Sequence, residues 1–226
     1  MRISDVFYSI QGEGQFAGTP SVFVRTTGCN LRCWFCDAPY TSWRPEGEQI
    51  AWPTVLQHVG RWDCAHVVLT GGEPLLQPDI VPLSAALKAR GAFVTVETAG
   101  TVYRPVAADL MSISPKLSNS IPHGDRRWRF RHVRDQSRTD VVRRLTSEYA
   151  YQLKFVIDQP EDLEEVVQYL GQFSEVPPEQ VWLMPQGVSA EALAEREAWL
   201  APTAERLGFR YCPRRQIELF GNVRGT

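Results

Sequence analysis

Three of the chain's five cysteines, Cys29, Cys33 and Cys36, fall within eight residues at C-x3-C-x2-C spacing. Thiolates crowded in this way are metal or cluster ligands, because a reducing compartment disfavours disulfides. A structural zinc site takes four ligands, and its cysteines usually come as two C-x2-C pairs. A zinc reading would need a distant fourth ligand such as His58 or His66. Three thiolates suit a cubane cluster better: four cysteines close a [4Fe–4S] centre, and three leave one iron open to a substrate or cofactor. Cys64, before the apolar run AHVVLT, and Cys212, in RYCPRR, stand alone and read as small, partly buried residues without a ligand role.

Positioning such a centre requires a scaffold, and the hydrophobic pattern supplies one. Strands are predicted over 21–27, 66–70, 92–98, 110–114, 151–157 and 180–185. Helices are predicted over 78–90, 160–173 and 189–208, the last with Ser189 as N-cap and a bend at Pro202. Strands alternating with helices imply an α/β fold with a mainly parallel sheet. The polar stretches TGGEP (70–74), ETAGT (97–101), SPK (114–116) and MPQG (184–187) each directly follow a predicted strand. Ligands in such folds bind at the carboxyl ends of strands, so these stretches point to a single site.

Composition sets the outer bounds. A chain of 226 residues with 43% hydrophobic content suits one α/β domain over 1–226. A net charge of −2 gives no global mark of a nucleic-acid or membrane binder. There is no apolar run of about 18 residues and no signal-peptide pattern at the N-terminus, so the expected location is cytoplasmic. Residues 118–150 lack clear alternation and carry arginines at 126, 127, 129, 131, 134, 138, 143 and 144. This insertion reads as a solvated loop leading into a helix, with a cover over an anionic ligand or a partner surface as the functional alternative. Only three lysines occur among 24 basic residues, at 88, 116 and 154, and two of them fall in or beside the predicted ligand loops. A compact ammonium is not readily replaced by a guanidinium.

The cysteine spacing, Phe35 just before the last cysteine, and a GGE triplet after a strand resemble the radical SAM superfamily. That resemblance implies a [4Fe–4S] cluster on Cys29, Cys33 and Cys36 and S-adenosylmethionine (SAM) on its open iron. One-electron cleavage of SAM then gives a 5′-deoxyadenosyl radical. It also implies a shortened, partial (β/α) barrel. Within the superfamily, IQGEGQFAG (10–18), TTGCN, CDAPYTSW, ETAGT, SPK and the terminal LFGNVRGT resemble the 7-carboxy-7-deazaguanine synthases over nearly the whole chain, least clearly across 118–150. The implied reaction converts 6-carboxy-5,6,7,8-tetrahydropterin to 7-carboxy-7-deazaguanine by hydrogen abstraction at C6, ring contraction and loss of ammonia, with SAM regenerated. A homodimer and a flavodoxin or ferredoxin electron donor are implied too, with no nucleic acid or membrane partner.

Roles carried over by the resemblance fall on individual positions. Gly72 and Glu73 would meet the methionyl end of SAM. Glu97 and Thr98 would meet its ribose or ammonium, Ser114, Pro115 and Lys116 a SAM-contacting turn, and Met184, Pro185, Gln186 and Gly187 its adenosine. Lys154 would face the SAM carboxylate or ribose, or be an ordinary strand residue. Ile10, Gln11, Gly12 and Glu13 would recognise the pterin, Arg25 its carboxylate, and Thr70 and the Thr226 carboxylate would close on it. The family commonly reads C-D-T after the last cysteine, where the threonine hydroxyl helps hold Mg²⁺. Here that position is Ala38, which has no oxygen to offer, leaving Asp37 or Thr41 as substitutes and Mg²⁺ dependence expected to be weak.

Two other readings compete. A radical SAM activase would use the 118–150 segment to dock a partner protein, though QGEG and the C-terminal GN-x-RG speak against it. A zinc-stabilised nucleic-acid-binding module would use the arginines, but these are interspersed with Asp125, Asp135 and Asp140.

Overall fold

The computed structural model describes residues 1–136 and 138–226. Its centre is a nine-stranded sheet. In chain order the strands are β1 (Arg2–Ile10), β2 (Pro20–Thr26), β3 (Glu48–Gln49), β4 (His66–Gly71), β5 (Phe93–Thr98), β6 (Leu110–Ile113), β7 (Tyr151–Ile157), β8 (Val181–Pro185) and β9 (Arg210–Tyr211). The spatial order is β3-β1-β2-β4-β5-β6-β7-β8-β9. β1 runs antiparallel to β2 and β3. From β2 onward every pairing is parallel.

Each parallel strand is added to the same edge as the last. Right-handed crossovers then carry the connecting helices over one face and leave the other face free, as in an open, partial barrel. The helices are α1 (Trp52–Val59), α2 (Ile80–Ala89), α3 (Arg126–Gln136), α4 (Thr139–Glu148), α5 (Asp162–Leu170), α6 (Ala190–Arg206) and α7 (Arg215–Phe220). α6 runs without interruption through Pro202, and Ser189 Oγ accepts from Ala192 N at its start, as expected of an N-cap.

Period-two alternation sorts the side chains between the faces. Val22 and Val24, Val67 and Leu69, Val94 and Val96, Met111 and Ile113, Leu153 and Phe155, and Val181 and Leu183 belong to one buried core under the helices. Between them, Arg25, Thr70, Glu97, Ser112 and Lys154 point to the other face, where they line a cavity.

The predicted strands and helices agree with the observed ones to within three residues at either end. β1 had no alternating signal, because a bulge between Ile3 and Asp5 breaks the period. The 118–150 insertion holds two helices rather than a solvated loop leading into one. α4 buries Val141, Val142 and Leu145 in the main core. α3 packs on the cysteine loop through His132 and Trp128, as described below.

Candidate active site

Cys29, Cys33 and Cys36 follow β2 and form one wall of a cavity of about 470 Å³. The loop is held from several sides. Cys29 Sγ accepts from Leu31 N at 3.4 Å, and Cys36 Sγ accepts from the Ser42 hydroxyl at 3.2 Å. The Trp43 indole donates to Cys33 O at 2.9 Å, and the Arg32 guanidinium donates to Cys29 O and Leu31 O at 2.7 Å each. A Cβ added at Gly72 would lie 2.2 Å from Gly28 O, so only glycine lets the TGGEP turn lie against the cysteine loop.

α3 braces the loop from behind. Ser120 Oγ donates to Leu117 O at 2.6 Å, so it accepts from His132 Nε2–H at 2.9 Å. His132 Nδ1 accepts from Arg32 N at 3.0 Å. This fixes a neutral tautomer, and burial lowers the imidazole pKa to about 4. The Arg32 guanidinium stacks 3.8 Å from the centre of the Trp128 ring.

The donor set fits a cluster. Burial pushes the thiols of Cys29 and Cys33 up to about 12 and raises that of Cys36, so they become thiolates only with metal to compensate. Among the described residues no three His, Cys, Asp or Glu side chains gather tightly enough for a single ion. His66, offered as a zinc ligand, has both ring nitrogens engaged: Nδ1 with Ser21 Oγ at 2.9 Å and Nε2 with Thr95 Oγ1 at 2.8 Å.

Strand ends supply the rest of the wall. Gly72, Thr98, Ser114, Lys116, Met184 and Gln186 line the cavity together with the cysteines. Lys116 Nζ donates to Ser114 Oγ at 2.6 Å. Glu73 lies behind the wall, fully buried. Its carboxylate accepts from Leu75 N at 3.1 Å, Ala99 N at 2.9 Å and Thr98 Oγ1 at 2.9 Å, tying the GGE turn to the ETAGT turn. Burial raises its carboxyl to about 7, against those three hydrogen bonds. Pro115, Pro185 and Gly187 are likewise absent from the wall.

A buried charge network forms another part of the wall. Glu13 accepts from Lys154 Nζ at 2.8 Å, Gln216 Nε2 at 2.8 Å and Arg214 Nε at 3.3 Å. Burial pushes the Glu13 carboxyl up, but the Lys154 and Arg214 cations prevail and hold it at about 2. Lys154 is itself raised: burial opposes its charge, and the Glu13 and Glu97 carboxylates outweigh burial. Glu97 accepts from Gln11 Nε2 at 3.1 Å and Thr70 Oγ1 at 2.8 Å. Glu97 and Lys154, expected beside SAM, are therefore engaged with the residues expected to meet the pterin. Arg214 also donates to Gly187 O at 2.6 Å and pairs with Asp37, so one guanidinium joins three segments. Cys212, expected to be partly buried, is fully buried and accepts from Gly14 N at 3.1 Å.

Ile10, Gln11, Gly12, Arg25, Ala38, Thr70 and Thr226 also reach the cavity. Arg25 donates to the Tyr40 hydroxyl, and the Arg224 guanidinium lies 4.3 Å from the centre of the Tyr40 ring. Ala38 offers no side-chain oxygen to a Mg²⁺ ion, and its neighbours are partly engaged: Asp37 is paired with Arg214 through one carboxylate oxygen, and the buried Thr41 hydroxyl donates to Ala38 O at 2.8 Å. Tyr40, Arg214, Gln216, Asn222 and Arg224 line the cavity without having been singled out in the sequence. Arginines in an arginine-heavy chain carry no positional signal, and no motif marks Gln216.

A glycine-backed cysteine triplet at the mouth of an open parallel sheet defines a radical SAM fold, and residues 23–170 match the model of the Radical SAM superfamily. Over its full length the chain is 46% identical to the 7-carboxy-7-deazaguanine synthase of Rhodopirellula baltica, covering 89% of that protein. It is 44% identical to that of Halobacterium salinarum, covering 93%. The crystal structure of QueE from Escherichia coli superposes with a TM-score of 0.70 at 23% identity, over 93% of this chain and 92% of that one, which shows the shared fold. The chain belongs to the 7-carboxy-7-deazaguanine synthase family of radical SAM enzymes.

Proposed function

We propose that this enzyme converts 6-carboxy-5,6,7,8-tetrahydropterin to 7-carboxy-7-deazaguanine, a lyase reaction of 7-deazapurine biosynthesis such as that leading to queuosine. The observation that carries this reading is one cavity lined from two sources. Its cysteines lie within the superfamily match, whereas Gln11, Gly12, Glu13, Arg214 and Gln216 come from chain outside it. A general radical device thus faces a dedicated polar pocket.

Cys29, Cys33 and Cys36 would hold the [4Fe–4S] cluster, which with SAM bound would supply one-electron chemistry. Gly72, Thr98, Ser114 and Lys116 receive the methionyl and ribose side of SAM, and Met184 and Gln186 its adenosine. Glu73 acts from behind by fixing Thr98 and the GGE turn.

Substrate recognition falls to the polar part of the wall. Glu13 stays ionised and, with three donors already bound, keeps one acceptor site for a pterin N–H. Gln216 Oε1 is buried with no hydrogen-bond partner among the described residues, an acceptor that awaits a donor. Arg25, steadied by Tyr40, pairs with the substrate carboxylate, and the Thr226 carboxylate closes from the C-terminus. Mg²⁺ has a minor part, since Ala38 has no side-chain oxygen and the adjacent Asp37 is paired with Arg214. The enzyme works as a single domain, as a cytoplasmic homodimer, with a flavodoxin or ferredoxin as reductant. Among the described residues no helix is long and apolar enough to cross a membrane.

The test is anaerobic turnover of reconstituted protein with SAM, dithionite and 6-carboxytetrahydropterin, followed by mass spectrometry. The 7-deazapurine carboxylate is the expected product. 5′-Deoxyadenosine without it would leave the radical machinery standing and overturn the substrate.

A further inference from the structure

Tyr40 stands in the cavity wall with a hydrogen still to give. It lies in the short turn Pro39–Thr41, just past the cysteine loop, and lines the cavity with Arg25, Ala38 and Arg224. The Arg25 guanidinium donates through Nη1 to the Tyr40 hydroxyl. A guanidinium can only donate, so the phenolic oxygen is the acceptor and its own O–H stays free. Among the described residues nothing accepts from that O–H. A hydroxyl that accepts from a cation is also polarised into a better donor. Burial raises the phenol above its ordinary range, and Arg25 offsets this only in part, so the hydroxyl keeps its proton at neutral pH.

Arg25 is unspent in the same way. Nη1 is its only nitrogen in a hydrogen bond among the described residues, and the one carboxylate within reach, Asp5, lies at 4.0 Å. Asp5 is instead engaged by Arg224 Nε at 2.9 Å and by the Ser4 hydroxyl at 2.8 Å. Arg224 also pairs with Glu46 at 2.8 Å, so two carboxylates match its charge. Its guanidinium, clasped in that way, lies 4.3 Å from the centre of the Tyr40 ring and fixes where the phenol points. The wall therefore presents one unmatched guanidinium and one free hydroxyl side by side. That combination suits a planar monoanion: a carboxylate has two oxygens, and one can accept from each donor. Ala38, two positions earlier, contributes no side-chain oxygen through which a metal could share the charge, so a carboxylate here depends on these donors.

From this arrangement we infer that the Tyr40 hydroxyl is a direct ligand of the substrate's 6-carboxylate, donating to one oxygen while Arg25 donates to the other. The inference rests on the substrate reading made above and gives Tyr40 a part in recognition beyond steadying Arg25. No proton moves; the contact is a hydrogen bond to an anion. It also makes the pair a specificity device. A pterin without the carboxylate would leave a guanidinium and a hydroxyl facing no acceptor in a largely enclosed wall, which costs binding free energy.

The test uses reconstituted holoenzyme with SAM and two fluorescent probes, 6-carboxypterin and unsubstituted pterin, with Kd read by titration. Tyr40→Phe removes the hydroxyl and keeps the ring on which Arg224 lies. It is expected to weaken 6-carboxypterin binding by about tenfold or more, as for a hydrogen bond to a charged group, and to leave pterin binding within about twofold of wild type. Arg25→Gln separates contact from positioning. With the hydroxyl on the carboxylate, Tyr40→Phe still weakens 6-carboxypterin binding severalfold in the Arg25→Gln background. No further loss in that background would mean that the hydroxyl only aims Arg25, and the inference would be overturned. An equal loss for both probes in Tyr40→Phe would make the hydroxyl a brace of the wall and overturn it too. A wild-type preference for 6-carboxypterin that Tyr40→Phe leaves intact would overturn the inference alone. Equal or absent wild-type binding of the two probes would overturn the substrate reading, and the inference with it.

Discussion

Lys154 Nζ sits 2.8 Å from Glu13 Oε2, joining β7 to the loop after β1 across 141 residues of sequence. Lys154 has 4% of its side chain exposed and Glu13 has 15%, so the pair lies in a region where an unmatched charge is costly. Removing one partner of an isolated buried pair destabilises by roughly 3–5 kcal/mol, because the other stays uncompensated. Lys154→Met should cost less than that in urea unfolding, because Glu13 keeps Arg214 and Gln216. Adding Glu13→Gln should recover part of it, giving a large coupling in a double-mutant cycle. Additive effects would show that the two charges do not depend on each other.

His132 ties stability to pH. Its folded pKa of about 4 lies below the ordinary imidazole value of 6.5, so between these values the unfolded chain binds the proton and the folded chain does not. Its burial as a neutral ring is fully tolerated above about pH 6.5, and stability is lost as pH falls from there to about 4, by on the order of 3 kcal/mol. Comparing urea midpoints of wild type and His132→Asn across this range checks it. The variant should lack that component of the slope.

Gln216 should matter to substrate binding more than to folding. Gln216→Met removes the unpartnered Oε1 and the hydrogen bond to Glu13 while keeping the volume. The expected loss in kcat/KM is roughly 5–30-fold, carried mainly by KM, as for one or two hydrogen bonds. Equal KM values in the two proteins would remove Gln216 from the substrate site.

Ala38 predicts how the enzyme responds to metal. With Asp37 held by Arg214 and the Thr41 hydroxyl turned to Ala38 O, chelation of divalent cations should leave most turnover intact. Ala38→Thr should make turnover more responsive to added Mg²⁺. Abolition of wild-type activity by chelator, restored by micromolar Mg²⁺ with the cluster intact, would contradict this.

Much of the site was legible because its motifs sit at strand ends, where period and turn chemistry are local properties. Gly72, Thr98, Ser114, Lys116 and Gln186 could be placed together from order alone, and all five line one cavity. β1 was hidden by its bulge, and α3 by a composition so basic that its buried face, Trp128 and His132, made no visible stripe. The C-terminal contributors were hidden for a different reason. Arg214 pairs with Asp37 across 177 residues, and nothing local to either position announces the other.

The sequence by itself determined the order of the motif-bearing strands and turns, the cysteine triplet and Gly72, which lets the turns meet, since backbone conformation and alternation are written residue by residue. Only the tertiary structure decided how the polar groups pair. Glu97 accepts from Gln11 and Thr70, and Lys154 pairs with Glu13, partners that nothing local to either position announces. Curvature of the sheet brings inward-facing side chains from different strands into one low-dielectric space, and there every buried charge must find the nearest compensating partner rather than the nearest neighbour in sequence.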